Sequence, residues 1–282
     1  MLGQIESYPR MMINGLTLPP FIHSRCSLGD GINQTCSSKR VHQCLPKTLS
    51  ICASLVQLFY SKTPESSDFV WKAIYAEQDR LYQEGKNTDY EGILEALQAT
   101  CIYVILQTLD PDSQERNNVR LMINTLGAIG ERLHDLFNYA EDVRTLSGRD
   151  MRYKWMTTES ARRTVCLLYI IETLLEVLIG KRDRLGCRGF SETPLPCGGS
   201  LWETASTLEW AQSYHQMHSV RRLGRPLMVA DLGSSFASVG SDANNNDGNE
   251  DLVADVMSWC GSLDQFGTIV WMAGTMVKTT TY

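Results

Sequence analysis

The sequence has 282 residues, of which 43% are hydrophobic and 21% charged, with a formal net charge of −6 at pH 7. That composition is typical of folded globular chains rather than disordered ones, and the acidic balance argues against nucleic-acid binding through bulk charge. The nine cysteines form no CxxC pair, and the first twenty residues lack the basic start and apolar core of a secretory leader. We therefore expect a reducing compartment and mostly free thiols.

The first 45 residues contain Pro9, Pro19 and Pro20 together with four glycines, and show no sustained hydrophobic period. Prolines and glycines without periodicity are typical of irregular chain. We predict an extended N-terminal arm over residues 1–45, with apolar side chains that anchor it on a helical domain. The predicted anchors are Tyr8, Met11, Leu16, Leu18, Phe21 and Ile22.

Beyond Pro46, apolar residues recur at three- and four-residue spacing, which predicts amphipathic helices. Ser66 or Ser67 can cap one of them, Gly85 can end it, and Thr88 with Glu91 matches a capping box for the next. Ser206 with Glu209 gives a further capping box, and Ser200 with Glu203 another in a loop. The predicted helices cover 49–60, 68–84, 89–109, about 112–140, 153–179, a helix that reaches about 218, and 251–277, the last broken at its glycines.

No strand alternation and no repeat of fixed period is visible, so we predict an all-α fold, an irregular multi-helix domain with the extended arm. The predicted helical domain covers 46–232. The segment 233–250 includes SDANNNDGNE, which is poor in apolar residues, and predicts a flexible surface loop. A C-terminal helical segment, 251–282, is expected to pack on the domain. The longest apolar stretch, Thr164 to Gly180, carries Glu172 and Glu176 in its interior, so it is expected to be a core helix rather than a membrane span.

Motifs that carry chemistry are missing from the sequence: it has no nucleophile elbow, phosphate loop, dinucleotide fingerprint or HExxH. His134 lies beside Glu131 and Asp135 on a predicted helix, but no nucleophile or second acid accompanies it. His215 and His218 have the spacing of two metal ligands on one helix face, without a third ligand placed by sequence. We predict no catalytic residue, no cofactor and no metal ligand here.

Two other groups of residues were weighed as sites. Cys26, Cys36, Cys44 and Cys52 lie eight to ten residues apart, with His23 and His42 nearby. Short zinc motifs generally use close cysteine pairs, so free thiols are the favoured interpretation and a zinc site the minor one. The basic clusters, Lys181, Arg182 and Arg184 and then Arg221, Arg222 and Arg225, are more typical of solvated helix ends than of phosphate clamps or localisation signals.

Several segments together resemble the middle homology region of fungal transcription factors, best known from zinc-cluster regulators. The strongest is WMTTESARRTVCLLYIIETL, in which a tryptophan, a glutamate and two arginines precede a long apolar run. Glu159 lies three and four residues before Arg162 and Arg163, so all three can pair on one helix face. The similar segments, in order, are Tyr8–Met12 with Leu18–His23, Leu45–Phe59, Ile93–Leu106, Trp155–Leu174, Leu195–Trp210 and WCGSLDQFGTIV from Trp259.

The resemblance implies a nuclear transcription regulator with a helical regulatory domain, and it allows a role at a metabolic or secondary-metabolite gene cluster. Implied partners are other transcription factors or coregulators, with a small-molecule effector as an option. The binuclear zinc cluster and the coiled coil of that family do not lie within these 282 residues. We therefore expect contact with DNA only indirectly or through a zinc cluster outside this sequence, and the chain could be a truncated regulator.

Two alternatives stay open. The chain could be an accessory or decoy partner that sequesters DNA-binding regulators without activating transcription, which co-purification of a partner with lowered transcription would indicate. It could, more remotely, be an enzyme on a helical scaffold, which would require a pocket with convergent polar groups and a perturbed titratable residue.

Overall fold

The computed structural model describes residues 1–28, 34–85, 88–110, 119–136, 148–179, 190–204, 206–238 and 247–276. The fold is all-α, as predicted, and the one β pairing in these ranges is an isolated antiparallel bridge between Pro194 and Met228. Short 3₁₀ turns occur at Arg25–Leu28 and Phe190–Glu192. The helices are α1 Leu2–Ile5, α2 Tyr8–Met11, α3 Gln34–Lys39, α4 Lys47–Ser61, α5 Ser67–Glu84, α6 Tyr90–Thr108, α7 Val119–Leu136, α8 Gly148–Ile179, α9 Gly199–Trp202, α10 Thr207–Val220, α11 Val229–Ser238, α12 Asp247–Gly261 and α13 Gln265–Met276.

The chain divides into two compact units, the first containing α1 to α7 and the second α8 to α13. The first unit is built around α6, which packs against α2, α4, α5 and α7. All residues from Ala96 to Gln107 are buried, so α6 is surrounded on several faces, as its nearly continuous apolar sequence predicts. Its N-cap is Asp89, whose carboxylate accepts from the Gly92 amide at 2.9 Å, and not the predicted Thr88.

The N-terminal arm is folded into short helical turns rather than extended over 1–45. Its predicted anchors Tyr8, Phe21 and Ile22 are buried, and the Phe21 carbonyl accepts from the Gln98 side chain on α6 at 2.8 Å. Arg25 pairs with Glu95 on the same helix at 3.3 Å. Pro9 lies in the first turn of α2, where its missing N–H is tolerated, and Gly3 lies within α1, so neither residue prevents these short turns.

The second unit is built on α8, the longest helix, against which α10, α13 and the Phe190–Glu192 turn pack. Ser206 is the N-cap of α10 and accepts from the Glu209 amide at 3.1 Å, so the serine half of that predicted capping box is confirmed. The predicted break in the C-terminal helical segment is also confirmed, because α12 ends at Gly261 and α13 begins at Gln265.

The observed division differs from the predicted domain boundaries. The change of unit falls between α7 and α8, inside the predicted domain 46–232, and α11 extends into the predicted loop 233–250 as far as Ser238. Residues 239–246 of that loop, the predicted helix start at Asp112, its end at Ala140 and the basic cluster 181–184 lie outside the described residues. Within the described ranges, no helix is both long enough and apolar enough to cross a bilayer.

Candidate functional site

The helical pairing predicted for Glu159 exists and is completely buried. Both Glu159 and Arg163 have 0% exposed surface, and the Arg163 Nε donates to Glu159 Oε1 at 3.3 Å. Arg162 contacts the other carboxylate oxygen, also at 3.3 Å. Glu159 Oε1 further accepts from the backbone amide of Cys197 at 2.7 Å. The helical carboxylate therefore holds a distant loop as well as its two arginines.

Arg163 extends this contact to a third segment. Its Nη2 donates to the Cys197 carbonyl at 2.8 Å and lies 2.9 Å from Asp264 Oδ2, while Trp202 lies under the guanidinium at 4.4 Å. Burial disfavours the charge, but Cys197, Glu159 and Asp264 outweigh it and raise the pKa of Arg163 above its ordinary value. We call Glu159, Arg163, Cys197 and Asp264 the Arg163 network.

Asp264 was not predicted from the sequence, because nothing local pairs it with α8. Its second oxygen accepts from the Gly267 amide at 2.6 Å and so caps α13. The signal that could have indicated this role is an aspartate three residues before a glycine at the start of an apolar run. One carboxylate thus closes the N-terminus of α13 and neutralises part of a buried arginine.

Glycines let the loop after Cys197 approach the turn before α13. A Cβ on Gly198 would lie 2.7 Å from the Ser262 carbonyl oxygen, and one on Gly199 would lie 2.8 Å from the Asp264 Cβ. Trp259 also holds this loop, by donating Nε1–H to the Pro196 carbonyl at 2.7 Å. The loop position that serves the Arg163 network therefore requires both glycines.

Three tryptophans of the resemblance segments, Trp155, Trp202 and Trp210, meet in one cluster beside the network. The ring centroids of Trp155 and Trp210 are 5.2 Å apart, and Tyr214 stacks on Trp210 at 5.1 Å. Trp202, which contacts Arg163, lies 6.5 Å from Trp155. Arg152, also buried, donates to the Thr207 hydroxyl at 3.1 Å and to the Thr204 carbonyl. These aromatic contacts join α8, α9 and α10.

A groove of about 840 Å³ opens beside this cluster, entirely within the second unit. Its volume is in the range of small-molecule sites. The ionisable side chains in its lining include four arginines, Arg162, Arg221, Arg222 and Arg225, against one carboxylate, Asp255. We call it the arginine groove. The C-terminal basic cluster, predicted as a solvated helix end, therefore contributes three of its cations.

Three of the four arginines already contact carboxylates outside the groove. Arg162 contacts Glu159, Arg222 lies 3.7 Å from Asp251, and Arg225 forms two contacts with Asp231 at 2.6 and 2.8 Å. Arg221 forms no ion pair with any residue that the structure describes. Burial lowers the pKa of Arg221, Asp255 partly offsets this, and Arg162 adds to it. An anion in the groove would stabilise this charge.

The predicted histidine candidates lie in ordinary settings. His134, with Glu131 and Asp135, is exposed on the last turns of α7. His215 is exposed and His218 lines the arginine groove, with its ring centroid 4.4 Å from that of Tyr214. Across the described ranges, neither belongs to a group of metal-ligand atoms. The expectation of no catalytic residue stays a prediction.

The structure brings three of the four candidate cysteines together with one histidine and places the fourth cysteine elsewhere. Cys26, Cys36, His42 and Cys44 bring their ligand atoms within 4.8 Å of one another; we call them the thiol–imidazole cluster. Cys52 lies in the core, where burial raises its pKa to about 12, and the His23 ring contacts the Ser24 carbonyl at 3.1 Å. The sequence favours free thiols because short zinc motifs are recognised by CxxC pairs, and this cluster contains none.

No protein family model, curated protein or solved structure matches the chain. The relationship to fungal transcription factors therefore stays a prediction that depends on the residues quoted for it.

Proposed function

We propose that this protein is a nuclear transcription regulator and that the second unit is its regulatory element. Other transcription factors or coregulators are its partners, and its contact with DNA is indirect or through a zinc cluster outside this sequence. The element acts by a shift between two packing states that exposes or hides a partner surface.

The observation that supports this proposal is the convergence of the resemblance residues. Trp155, Glu159 and Arg163 come from one segment, Trp202 and Trp210 from the next, and Asp264 from the last. They meet in the Arg163 network and the aromatic cluster beside it. Contact between residues of three separate resemblance segments is expected when a common fold, and not chance composition, explains the resemblance.

The arginine groove supports an effector of a particular chemistry. Its arginine excess, and an Arg221 that forms no ion pair within the described ranges, favour an anionic small molecule that carries a carboxylate or phosphate. The Trp155 ring and Arg162 belong both to the groove lining and to the packed interior. A bound anion would therefore act on the same side chains that hold α8 to its neighbours, which is the differential contact that a two-state shift requires.

Deletion and complementation in the source organism test the proposal. We expect loss of the gene to change a defined set of transcripts, and the wild-type chain to restore them. An Arg221→Met chain should be present at the wild-type level, measured by immunoblot, yet restore those transcripts incompletely. Transcript levels that stay the same after deletion, under every growth condition that expresses the protein, would contradict it.

A further inference from the structure

The thiol–imidazole cluster is assembled from three successive pieces of the first unit. Cys26 lies in the Arg25–Leu28 turn, Cys36 in α3, and His42 and Cys44 in the connection to α4. Cys26, Cys36 and His42 are buried, at 8%, 1% and 8% exposure, and Cys44 is half-buried. All three cysteines are free thiols. Three thiols and an imidazole are thus gathered where water has little access.

We propose that these four residues bind one Zn²⁺ ion, in a closed structural site that joins the N-terminal turns to one another. The donor set matches the metal: three thiolates and one imidazole form one of the common tetrahedral zinc sets, whereas Ca²⁺ and Mg²⁺ prefer oxygen ligands. Four protein ligands leave no open position, so the ion serves folding and not catalysis.

Distances within the cluster agree with tetrahedral zinc. The His42 Nδ1 lies 3.3 Å from the Cys26 Sγ and 3.6 Å from the Cys44 Sγ. Zn–S bonds of about 2.3 Å and Zn–N bonds of about 2.0 Å place sulfur and nitrogen about 3.5 Å apart across a tetrahedron, and two sulfurs about 3.8 Å apart. All four ligand atoms lie within 4.8 Å of one another. Small side-chain rotations are therefore enough to complete the tetrahedral geometry.

The second nitrogen of His42 provides an independent argument. Its Nε2 lies 2.6 Å from the Leu16 carbonyl oxygen. A ring N–H that donates to a carbonyl leaves Nδ1 as the unprotonated nitrogen, and Nδ1 is the atom that faces the sulfurs. Metal-bound histidines are generally held in this way by an outer hydrogen bond, which fixes the tautomer and ring orientation.

The backbone between the ligands is shaped to bring them together. Arg40 has φ of 52°, in the left-handed region that non-glycine residues rarely adopt. It follows α3 directly and reverses the chain, so that His42 and Cys44 return toward Cys36. Such strain persists where surrounding contacts enforce it, and four metal bonds would do so.

Zinc would also account for the fixed path of a segment with few apolar anchors. The exposed residues Ser37, Ser38, Lys39, Arg40 and Val41 separate Cys36 from His42. These five residues bury little apolar surface that could offset the conformational entropy lost when the chain is ordered. A metal that binds only the folded arrangement contributes its binding free energy to folding. This inference does not depend on the proposed role in transcription.

The test is metal analysis of the full chain, purified under reducing conditions without chelator. We expect roughly one equivalent of zinc per chain. Replacement by Co²⁺ should give the intense visible absorption of tetrahedral thiolate-bound cobalt, and a strong chelator should lower the melting temperature by more than about 5 °C.

Variants separate the site from general damage to the fold. Cys36→Ala should lose the metal, whereas His42→Cys should retain one zinc and shift the cobalt spectrum toward that of four thiolates. Cys260→Ser, which replaces a thiol in the second unit, should keep both zinc and spectrum.

A wild-type chain with native circular dichroism that binds neither added Zn²⁺ nor Co²⁺ would overturn the proposal. So would retention of full zinc by Cys36→Ala, or a stoichiometric disulfide among these cysteines in the reduced preparation. Stoichiometric copper or iron in place of zinc would overturn the assignment of the metal.

Discussion

The Arg163 guanidinium and the Asp264 carboxylate, far apart in the sequence, form an ion pair with an N···O distance of 2.9 Å in the interior of the second unit. Asp264 also accepts from the Gly267 amide, so the same side chain fixes the start of α13. A buried arginine with several carbonyl and carboxylate partners is stable only while all of them are present, because the lone charge cannot be solvated.

Removal of the Asp264 carboxylate should destabilise the second unit strongly. Asp264→Ala should lower the free energy of unfolding of the second unit by about 3–5 kcal/mol, since Arg163 loses a partner and α13 loses its cap. Asp251→Ala removes a carboxylate from an exposed pair with Arg222, at 3.7 Å, and should cost less than about 1 kcal/mol. Urea unfolding followed by tryptophan fluorescence measures both. Equal costs for the two variants would mean that the Arg163 network contributes no special stability.

Gly198 should not tolerate a side chain, because it lies too close to the Ser262 carbonyl group. Gly198→Ala places a methyl group 2.7 Å from the Ser262 carbonyl oxygen, so the loop must shift and the second unit should lose about 1–3 kcal/mol. Gly261→Ala is the matched control, because its added Cβ meets nothing within 4 Å. Its stability should change by less than about 0.5 kcal/mol. Thermal unfolding measures the stability of both variants. A Gly198→Ala variant as stable as the wild type would contradict the close packing of this loop.

The Arg225–Asp231 pair should make stability depend on pH. Burial opposes ionisation of Asp231, but hydrogen bonds from Arg225 and the Met228 amide prevail and lower its pKa. A carboxylate whose pKa is lower in the folded state stabilises the fold above its unfolded pKa of about 3.9, and this contribution is lost as pH falls through the folded pKa. Asp231→Asn should therefore cost about 1–2 kcal/mol at pH 7.

That cost should begin to shrink below about pH 4, where Asp231 becomes protonated in the unfolded chain, and should shrink further as the pH falls through the lower folded pKa. Denaturant unfolding of both proteins between pH 7 and pH 3 measures the difference. A difference that stays constant over this range would show that ionisation of Asp231 does not stabilise the protein.

Arg221 should contribute little to stability. Its charge is partly buried without an ion-pair partner in the described structure, so Arg221→Met should leave the free energy of unfolding unchanged or raise it by up to about 1 kcal/mol. Arg222→Met, on the exposed rim, is the control for loss of a charge and should be neutral within about 0.5 kcal/mol. Chemical denaturation provides the values. A loss greater than about 1 kcal/mol for Arg221→Met would mean that the fold, and not a ligand, requires this arginine.

Local sequence signals predicted much of the helical structure. Hydrophobic periodicity located the long helices, and the spacing of Glu159 and Arg163 predicted their pairing, since both depend on residues one turn apart. The sequence does not determine the N-cap of α6, because Thr88 and Asp89 both have suitable side chains. The structure shows that Asp89 is the N-cap. The short turns of the arm have too few residues for a period to appear.

The remaining features depend on contacts between distant segments. Nothing near Asp264 indicates that Arg163 is its partner, because the pairing results from how α8 and α13 pack. The thiol–imidazole cluster was missed for the same reason: its ligands come from separate turns, whereas zinc motifs are recognised by close pairs within one turn. Only His42 and Cys44 are near neighbours in the sequence, and a pair of that kind is common without a metal.

The most direct test of the proposed function joins the full chain to an unrelated DNA-binding domain and measures a reporter gene that carries the matching site. We expect reporter transcription to rise or fall severalfold relative to the DNA-binding domain alone, and Asp264→Ala, which breaks the Arg163 network, to remove the change. A folded wild-type fusion that reaches the nucleus and leaves the reporter at the level of the DNA-binding domain alone would contradict it.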